Sequence, residues 1–271
     1  MSETIDLDRY LTRIGRSGPH QPTLEVLQAI TAAHAQSIPF ENIDVRLGRP
    51  ILLELDALFD KLVTQGRGGY CYEQNSLLLA VLRQLGFEVQ PLGGRVRLAQ
   101  PDRRIPTQRT HMLLRVMLEG KHWITDVGMG TASLTRALRL QADWEQSTPH
   151  DTRRLQHENG RWYHQILRAG KWIDACEFTA DELPFIDRKV GNWYTSTHPD
   201  SMFCQRLTMA LARPDGSRVT LLDQALTERQ RDGGEQTRIL DKADALDAAL
   251  RQHYRIELPW DDVQLLFERI S

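Results

Sequence analysis

The segment Arg67-Gly-Gly-Tyr-Cys-Tyr-Glu-Gln-Asn75 leads directly into a run of residues with helical periodicity. That run, from about Glu73 to Leu85, places its leucines on one stripe, and Gly86 follows as a natural C-terminal stop. A cysteine therefore stands just before a helix, where backbone N–H groups and the helix dipole favour a thiolate over a thiol. This position makes Cys71 a candidate nucleophile. The alternative is a small buried hydrophobic residue, as most free cysteines are.

The chain that precedes this segment also has helical patterns. Apolar side chains recur at intervals of three and four from Leu24 to His34, which is the spacing of one helix face, and Pro22-Thr23 suits a helix start. A second stripe runs from Leu55 to Val63. We therefore expect residues 1–87 to be mainly helical.

From Phe87 onward the hydrophobic period changes to that of strands. The stretch from Arg115 to Ile124 predicts two strands joined by a tight turn at Glu119-Gly120, and the same pattern recurs at Asn159-Gly160 and Ala169-Gly170. Three hairpins in close succession predict an antiparallel sheet or a small barrel.

The last third of the chain mixes strand and helix patterns. Asp232-Gly-Gly-Glu235 is typical of a flexible surface bend. No low-complexity linker separates this part from the rest, so we expect lobes that pack together. The elements predicted here are two strands, the turn between them and two helices: Arg206–Ala212, Arg218–Leu222, Pro214–Ser217, Asp241–Tyr254 and Asp261–Ile270.

The first hairpin brings a histidine and an aspartate together. If its turn has two residues, Leu118 pairs with Lys121 and Asp126 lies opposite Leu113. His111 lies two residues away on the same strand and the same face, so His111 and Asp126 become diagonal neighbours, roughly 7–8 Å apart at Cα. A register slip of one residue would place them on opposite faces. A thiolate nucleophile needs an imidazole, and the imidazole needs an orienting acid, so these two residues complete a candidate triad with the cysteine.

Composition excludes several classes of protein. The chain has 271 residues, of which 41% are hydrophobic and 26% charged, with a formal net charge of −2. This argues against a disordered chain, and a polyanion-binding surface would need a local basic patch. No stretch approaches the ~18 apolar residues of a membrane helix, and Met1–Tyr10 lacks the apolar core of a secretory signal. We therefore expect a cytoplasmic protein that does not bind nucleic acid or membranes.

The remaining cysteines and basic residues are weaker candidates for a functional site. Cys176 and Cys204 lack a helix-start context, and three widely spaced cysteines indicate reduced thiols rather than disulfides. No histidine has a partner at zinc-ligand spacing, so we predict no metal site. Arg103, Arg104 and Arg109 form a basic patch that could meet phosphates, although a solvated loop is an equally good interpretation.

Three blocks of this sequence resemble the catalytic blocks of the arylamine N-acetyltransferases, particularly the bacterial ones: Arg67-Gly-Gly-Tyr-Cys71, Arg109-Thr-His111 and Ile124-Thr-Asp126-Val-Gly-Met-Gly130. Further segments resemble the family in the same order, namely Tyr10–Gly15, Ile38–Asn42, Leu92–Val96 and Gly191–Pro199. The resemblance covers most of residues 5–225. It implies an α+β fold in three parts with a cysteine-protease-like core: an N-terminal helical bundle (1–87), a central antiparallel β-barrel (88–195) and a C-terminal α/β lid (196–271).

The resemblance also implies an activity. Family members transfer acetyl from acetyl-coenzyme A (acetyl-CoA) to arylamines, arylhydrazines and often N-arylhydroxylamines, with no permanently bound cofactor. By position, Cys71 would be the acetylated nucleophile, His111 the base and acid, and Asp126 its orienter, in a ping-pong cycle. Arg67 and Glu41 would form a structural pair.

The same resemblance bears on the acceptor pocket. From their positions, we expect the apolar lining of this pocket to include Phe40, Tyr72, Met129 and Phe203. The family often has an aromatic residue at the place of Met129, so the flexible methionine puts acceptor preference in question. The sequence does not reveal the oligomeric state.

Three other functions remain open from the residues. An amide synthase of the same family would use the same triad with a tethered acyl chain. A cysteine hydrolase would use it with water as the acceptor. In a non-catalytic globule, the three residues would be structural only.

Overall fold

The computed structural model describes residues 4–18 and 21–271. The described N-terminal residues form five helices, and side chains at the starts of the first two satisfy free N–H groups: Asp6 accepts from Arg9 and Thr23 accepts from Val26. The fourth helix continues as a single π-helical turn over Asp60–Thr64. The helices are α1 (Leu7–Arg13), α2 (Leu24–Ser37), α3 (Ile43–Arg46), α4 (Leu55–Phe59) and α5 (Cys71–Gln84).

Helix α5 starts two residues earlier than the sequence pattern predicts. Cys71 is its first residue, and Tyr70 precedes it in an extended conformation. The Glu73 side chain reaches back to accept the Tyr70 N–H at 2.9 Å, which fixes the start at this point. Cys71 is therefore in the first turn of the helix rather than before it.

Eight antiparallel strands form a nearly closed barrel sheet, in the order β5-β4-β3-β2-β9-β8-β7-β6. The Gln146 side chain on one edge strand bonds the backbone N–H and C=O of Arg139 on the other, at 2.7 and 3.0 Å, and so links the two edges. The strands are β2 (Glu88–Val96), β3 (His111–Leu118), β4 (Lys121–Thr125), β5 (Leu138–Arg139), β6 (Gln146–Ser147), β7 (Thr152–Glu158), β8 (Arg161–Arg168) and β9 (Lys171–Glu182).

The three predicted hairpins are confirmed, each with a two-residue turn. Leu118 pairs with Lys121 as expected, and the turns at 159–160 and 169–170 close in the same way. Glu119 and Gly120 have φ values of 51° and 67°, which match the right-handed twist of the strands they join. The register that the triad prediction depends on is therefore present.

A second sheet of five strands contains a strand from the N-terminal part. Strand β1 (Phe40–Glu41) pairs with β10 (Thr208–Ala212), so the segment that precedes α3 is fixed in the C-terminal sheet. The surface bend predicted at 232–235 closes a hairpin between two strands that the sequence analysis did not foresee. The remaining strands are β11 (Arg218–Leu222), β12 (Ala225–Arg229) and β13 (Glu235–Ile239).

Four helices complete the second half. The predicted helix at 241–254 is present as α8 followed by a π-helical turn, Leu250–Tyr254, and its stripe of Leu246, Leu250 and Tyr254 is buried. Two helices after the barrel were not predicted. The helices are α6 (Phe185–Thr197), α7 (Met202–Gln205), α8 (Ala243–Ala249) and α9 (Trp260–Glu268).

Buried apolar side chains form three clusters. One lies among the N-terminal helices and reaches the barrel through Met112 and Val127, one lies between the second sheet and α8–α9, and one fills the barrel. Cys71 belongs to the first cluster and Met129 to the third. The start of α5 therefore lies where the helical part meets the barrel. No helix in the described residues has the length and apolar character needed to cross a membrane.

Candidate active site

Close backbone packing positions Cys71. The two glycines before it pass against neighbouring groups, and a Cβ on Gly68 would lie 2.0 Å from the carbonyl oxygen of Pro39. Only glycine fits there, which explains why a glycine pair precedes Cys71. The Cys71 side chain is 4% exposed, and its Sγ lies 3.7 Å from the carbonyl oxygen of Thr110, the residue before His111.

His111 and Asp126 meet as the hairpin register predicts. His111 Nε2 and Asp126 Oδ2 are 2.6 Å apart, and both side chains are buried. Burial by itself lowers the pKa of His111, but the Asp126 carboxylate and side-chain hydrogen bonds with Asp126 and Cys71 raise it to about 10. Because Nε2 is engaged by Asp126, Nδ1 is the ring nitrogen left for the hydrogen bond with Cys71. The structure thus brings the three predicted residues into one hydrogen-bonded array.

Asn75 holds the carboxylate in place, a role that the sequence analysis missed. It lies one turn after Cys71 on α5, and its Nδ2 donates to Asp126 Oδ1 at 2.9 Å and to the carbonyl of Met112 at 2.7 Å. Its Oδ1 accepts the Val127 N–H at 3.1 Å. The spacing of four residues from the nucleophile could have indicated this role, because such residues share a helix face.

The loop after β4 packs directly on the start of α5. A Cβ on Gly128 would lie 2.6 Å from the Cα of Cys71, so glycine is required for this approach. The Gly128 N–H donates to Asp126 Oδ1 at 3.1 Å. Burial raises the pKa of Asp126, but His111, Asn75 and this N–H together hold it below its usual value. Asp126 is therefore ionised at neutral pH.

A buried ionic network supports the glycine segment. Arg67 donates to Glu41 Oε1 at 2.8 and 3.1 Å and to Asp44 at 3.3 Å. Lys61 bridges Asp44 at 2.7 Å and Glu73 at 2.6 Å. Glu41 lies on β1, which joins the second sheet, so the network ties three parts of the fold to the segment before Cys71.

The side chains expected to line the acceptor pocket are only partly brought together. The rings of Phe40 and Phe203 meet edge to face with centroids 5.8 Å apart, and a Cβ on Gly130 would lie 3.4 Å from the Phe40 ring. Met129, 6% exposed, packs into the barrel cluster. Tyr72 is 1% exposed, and its ring meets that of Tyr70 edge to face with centroids 6.1 Å apart.

A second group of buried charged residues lies behind the loop that carries Met129, and the sequence analysis did not find it. Arg153 donates to the Ala132 carbonyl at 3.1 Å, and Arg218 donates to the Ser133 carbonyl at 2.9 Å. Asp151 pairs with both arginines, at 2.5 and 3.6 Å. The sequence carries no local sign of these contacts, because they join β7 and β11 to a loop far away along the chain.

His164 belongs to the same group. Its Nε2 lies 3.0 Å from Arg153 Nη1, so the ring accepts a hydrogen bond and is neutral. Burial, with the positive charge of Arg153 second, lowers the pKa of His164 to about 3. This histidine stays uncharged beside the triad at any physiological pH.

The other candidates from the sequence have ordinary structural surroundings. Cys176 is fully buried, and burial raises the pKa of its thiol well above the usual value. Arg103 pairs with Asp174 at 2.6 Å and also with a glutamate, and Arg104 pairs with its neighbour Asp102. Carboxylates therefore neutralise two of the three arginines of the basic patch. Within residues 4–18 and 21–271, no group of three or more His, Cys, Asp or Glu side chains could hold a metal ion.

Known proteins are similar to this chain over most of its length. The family model for N-acetyltransferases matches residues 23–263. An arylamine N-acetyltransferase of Mycolicibacterium smegmatis is 42% identical over 251 residues, covering 92% of this chain and 91% of that protein. A Salmonella typhimurium relative, named arylamine N-acetyltransferase / N-hydroxyarylamine O-acetyltransferase, is 41% identical over 218 residues, covering 80% of this chain and 77% of the relative.

The solved structure of a relative has nearly the same fold as this chain. The Mycobacterium marinum arylamine N-acetyltransferase in complex with CoA has a TM-score of 0.93 at 34% identity and covers 98% of this chain and 100% of that chain. The chain belongs to the arylamine N-acetyltransferase family. The α+β fold class, with its antiparallel barrel, is confirmed.

Proposed function

We propose that the protein transfers an acetyl group from acetyl-CoA to the nitrogen of arylamines and arylhydrazines, and to the oxygen of N-arylhydroxylamines, through an acetyl-Cys71 intermediate. The observation that carries this proposal is the hydrogen-bonded array of Cys71, His111 and Asp126 at the start of α5. The relatives support the substrates, because one structure holds CoA and one relative is named for both acceptor classes.

Proton transfer from Cys71 to His111 gives the attacking thiolate and an imidazolium. A pKa of about 10 keeps His111 protonated at neutral pH, and the proton comes from the thiol. The N-terminal end of α5 stabilises the sulfur anion through its dipole and its free N–H groups. The Asp126 carboxylate stabilises the imidazolium on its other side and fixes its orientation.

In the first half-reaction, the Cys71 sulfur attacks the thioester carbonyl of acetyl-CoA. A new C–S bond forms, the tetrahedral intermediate collapses, and the CoA sulfur leaves with the proton that His111 carries. One thioester replaces another, so the acetyl-enzyme lies close to the donor in free energy. The N–H groups of Cys71 and Tyr72 lie in the first turn of α5, where no earlier helical carbonyl accepts them, and they can receive the developing oxyanion.

In the second half-reaction, the acceptor nitrogen attacks the acetyl-Cys71 carbonyl. CoA left with the proton that His111 carried, so the imidazole is now neutral and can take the excess proton from the amine. Collapse of the intermediate forms the amide bond and returns Cys71 as a thiolate beside a protonated His111. Every proton is then back at its starting position.

For the acceptor side, we propose a flat apolar surface formed by Phe40, Phe203 and Met129. The contact between the two phenyl rings and the position of Gly130 against Phe40 support this placement. We include Tyr72 in the same wall, because its ring contacts that of Tyr70, which in turn contacts Phe203. Anilines are neutral at pH 7, so a wall without charge suits them.

We also propose structural roles and boundaries. Arg67 and Glu41 fix the glycine segment, as their buried pairing supports. The three apolar clusters support a helical bundle over 1–87, a barrel over 88–195 and an α/β lid over 196–271. We place the protein in the cytoplasm, acting on small molecules without a permanently bound cofactor and without contact to nucleic acid or membranes.

Acetylation of the enzyme in the absence of an acceptor tests the proposal. With acetyl-CoA alone, we expect one acetyl group on Cys71 in mass mapping, and addition of aniline or an arylhydrazine should release it as the amide. Cys71→Ala should reduce turnover by roughly 10⁴-fold or more. Cys204→Ala is the matched control, because its thiol lies outside the array.

Three results would contradict the proposal. Acetylation of another residue would remove Cys71 as the nucleophile. Free acetate in place of acetylated amine would indicate a hydrolase. Turnover that required a tethered acyl chain and ignored acetyl-CoA would indicate an amide synthase.

A further inference from the structure

Two consecutive residues of α6 contact the two tyrosines that flank Cys71. The Tyr70 hydroxyl donates to Asn192 Oδ1. The Tyr72 hydroxyl lies against the backbone of Gly191, where an added Cβ would come within 2.0 Å of the phenol oxygen. Both tyrosines and both α6 residues are buried. We refer to Gly191 and Asn192 as the α6 pair.

The Asn192 amide is held in one orientation. Its Nδ2 donates to the carbonyl of Ile51 at 3.0 Å. A carbonyl oxygen can only accept, so Nδ2 must face Ile51, and Oδ1 is left for the Tyr70 hydroxyl. Burial raises the pKa of Tyr70 well above its usual value, so this hydroxyl keeps its proton and remains a donor. Asn192 therefore ties the residue before Cys71 to the segment that precedes α4.

Gly191 lies in the interior of α6, where glycine is less favourable than alanine because it loses more conformational freedom on folding. A side chain at this position would overlap the Tyr72 hydroxyl and the ring carbon that carries it, at 2.0 and 2.7 Å. The close approach of Tyr72 is thus a physical reason for a glycine here. It also gives a role to the segment Gly191–Pro199, which the chemistry described above leaves without one.

Different contacts hold Cys71 and its two neighbours. The loop after β4 packs on Cys71 itself through Gly128, and the Cys71 Sγ lies 3.7 Å from the carbonyl oxygen of Thr110. The α6 pair instead contacts the side chains of the residues before and after the nucleophile. The surroundings of the thiol and the orientation of the flanking peptide groups therefore depend on separate parts of the fold.

The flanking peptide groups carry the N–H groups of Cys71 and Tyr72, to which the proposed mechanism assigns the oxyanion. Such a donor is effective only when it points at the oxygen from about 2.7–3.1 Å. A peptide group is planar, so a tyrosine residue that turns about its backbone also turns the N–H of the adjoining peptide. Contacts that fix the two tyrosines thus restrict the direction of both N–H groups.

We propose that the α6 pair positions the N–H groups of Cys71 and Tyr72 so that they point at the carbonyl oxygen during acyl transfer. In each half-reaction, the nucleophile bonds to the carbonyl carbon while an electron pair moves onto the oxygen, and collapse returns this pair and expels the leaving group. The inference rests on the proposed function, because the oxyanion forms only when an acyl carbonyl is attacked.

Two reactions of the same sulfur separate this role from a general structural one. Acetylation of Cys71 by acetyl-CoA passes through an oxyanion, whereas alkylation by iodoacetamide displaces iodide from a saturated carbon and forms none. We expect Asn192→Leu to lower the single-turnover rate of acetylation by roughly tenfold or more, a part of the cost of losing an oxyanion donor. The rate of alkylation at pH 7 should keep its wild-type value, because other contacts hold the thiol and His111.

A conservative variant and a matched control accompany this measurement. Tyr70→Phe removes the hydroxyl but keeps the ring, so it should reproduce the separation of the two rates, and it decides the question if Asn192→Leu does not fold. The double variant should lose no more than the larger single loss, since both substitutions remove the same hydrogen bond. Val190→Ala is the control, because Val190 is exposed and adjoins the α6 pair on the same helix. Both of its rates should be unchanged.

Amide NMR provides a readout without any substrate. In nitrogen-labelled protein, the amide resonances of Cys71 and Tyr72 should move in Asn192→Leu and keep their positions in Val190→Ala. The amide resonance of Asn75, whose side chain is bonded to the barrel, should stay in place in both variants.

Four results would overturn the inference. One is an equal loss of acetylation and alkylation in Asn192→Leu, which would show that the α6 pair supports the whole site. Another is wild-type acetylation in both Asn192→Leu and Tyr70→Phe. A third is a double variant in which the two losses multiply, and the last is an unchanged pair of amide resonances in Asn192→Leu. If acetyl-CoA did not acetylate the wild type, the proposed function would fail, but acylation by p-nitrophenyl acetate, which also forms an oxyanion, would still decide the role of the α6 pair.

Discussion

His111 and His164 lie on strands of the same barrel sheet and are equally buried, each with 2% of its surface exposed. Their pKa values nevertheless move in opposite directions, to about 10 for His111 and to about 3 for His164. Burial lowers both, so the neighbours decide the outcome: a carboxylate and a thiol face His111, whereas a guanidinium faces His164. The charge of the neighbouring group, and not the depth of burial, determines which histidine can hold the thiol proton.

The largest expected effect comes from removing the carboxylate. Asp126→Asn keeps the shape but removes the charge that raises the pKa of His111, and the amide can no longer enforce the right ring tautomer. We expect kcat/KM to fall by on the order of 10⁴-fold. The steady-state kcat/KM and the rate of Cys71 alkylation by iodoacetamide at pH 7 should fall together. Near-normal values of both would show that His111 does not depend on Asp126.

A smaller effect is expected from the residue that holds the carboxylate. Asn75→Ala removes the hydrogen bonds to Asp126 and to the Val127 N–H but leaves the triad residues in place. We expect a loss of roughly 10- to 100-fold in kcat/KM, the usual range for outer partners of a functional group. Gln84→Ala, at the exposed end of the same helix, serves as the control. A loss no larger than in this control would remove Asn75 from the account.

The smallest effect concerns the neutral histidine. The folded-state pKa of His164 is below that of the unfolded chain, so the free energy of unfolding should decrease as pH falls from 6.5 toward 3, because only the unfolded chain takes up the proton. His164→Gln should reduce this slope by up to about 1.4 kcal/mol per pH unit. Urea unfolding at several pH values measures it, with the exposed His157→Gln as the control. An unchanged slope in His164→Gln would mean that His164 is protonated in the folded protein.

Local sequence patterns predicted the parts of the site that depend on local geometry. Cys71 follows from a helix start, and the meeting of His111 with Asp126 follows from the length of one turn, so a few residues suffice for each. The predicted start of α5 was two residues too late, because the Glu73 side chain accepts the Tyr70 N–H and so begins the helix at Cys71.

Contacts between distant segments could not be predicted in this way. Arg153 supports the loop at Ala132 only because β7 lies in the barrel sheet beneath it, and β1 joins a strand that lies 168 positions further along the chain, as the pairing of Glu41 with Met209 shows. Strand β13 was not predicted for another reason. All of its residues, Glu235–Ile239, are exposed, so it has no alternation of apolar and polar side chains. The cavity between the β8–β9 turn and the β12–β13 turn is likewise formed by segments of two different sheets.

The charge state of His111 in the resting enzyme is the central claim, and nitrogen NMR of the imidazole measures it directly. With the histidines labelled, His111 should give the chemical shifts of an imidazolium at pH 7 and titrate near pH 10, while His164 should give those of a neutral ring throughout. A neutral His111 ring at pH 7, with an ordinary titration near 6.5, would contradict the account.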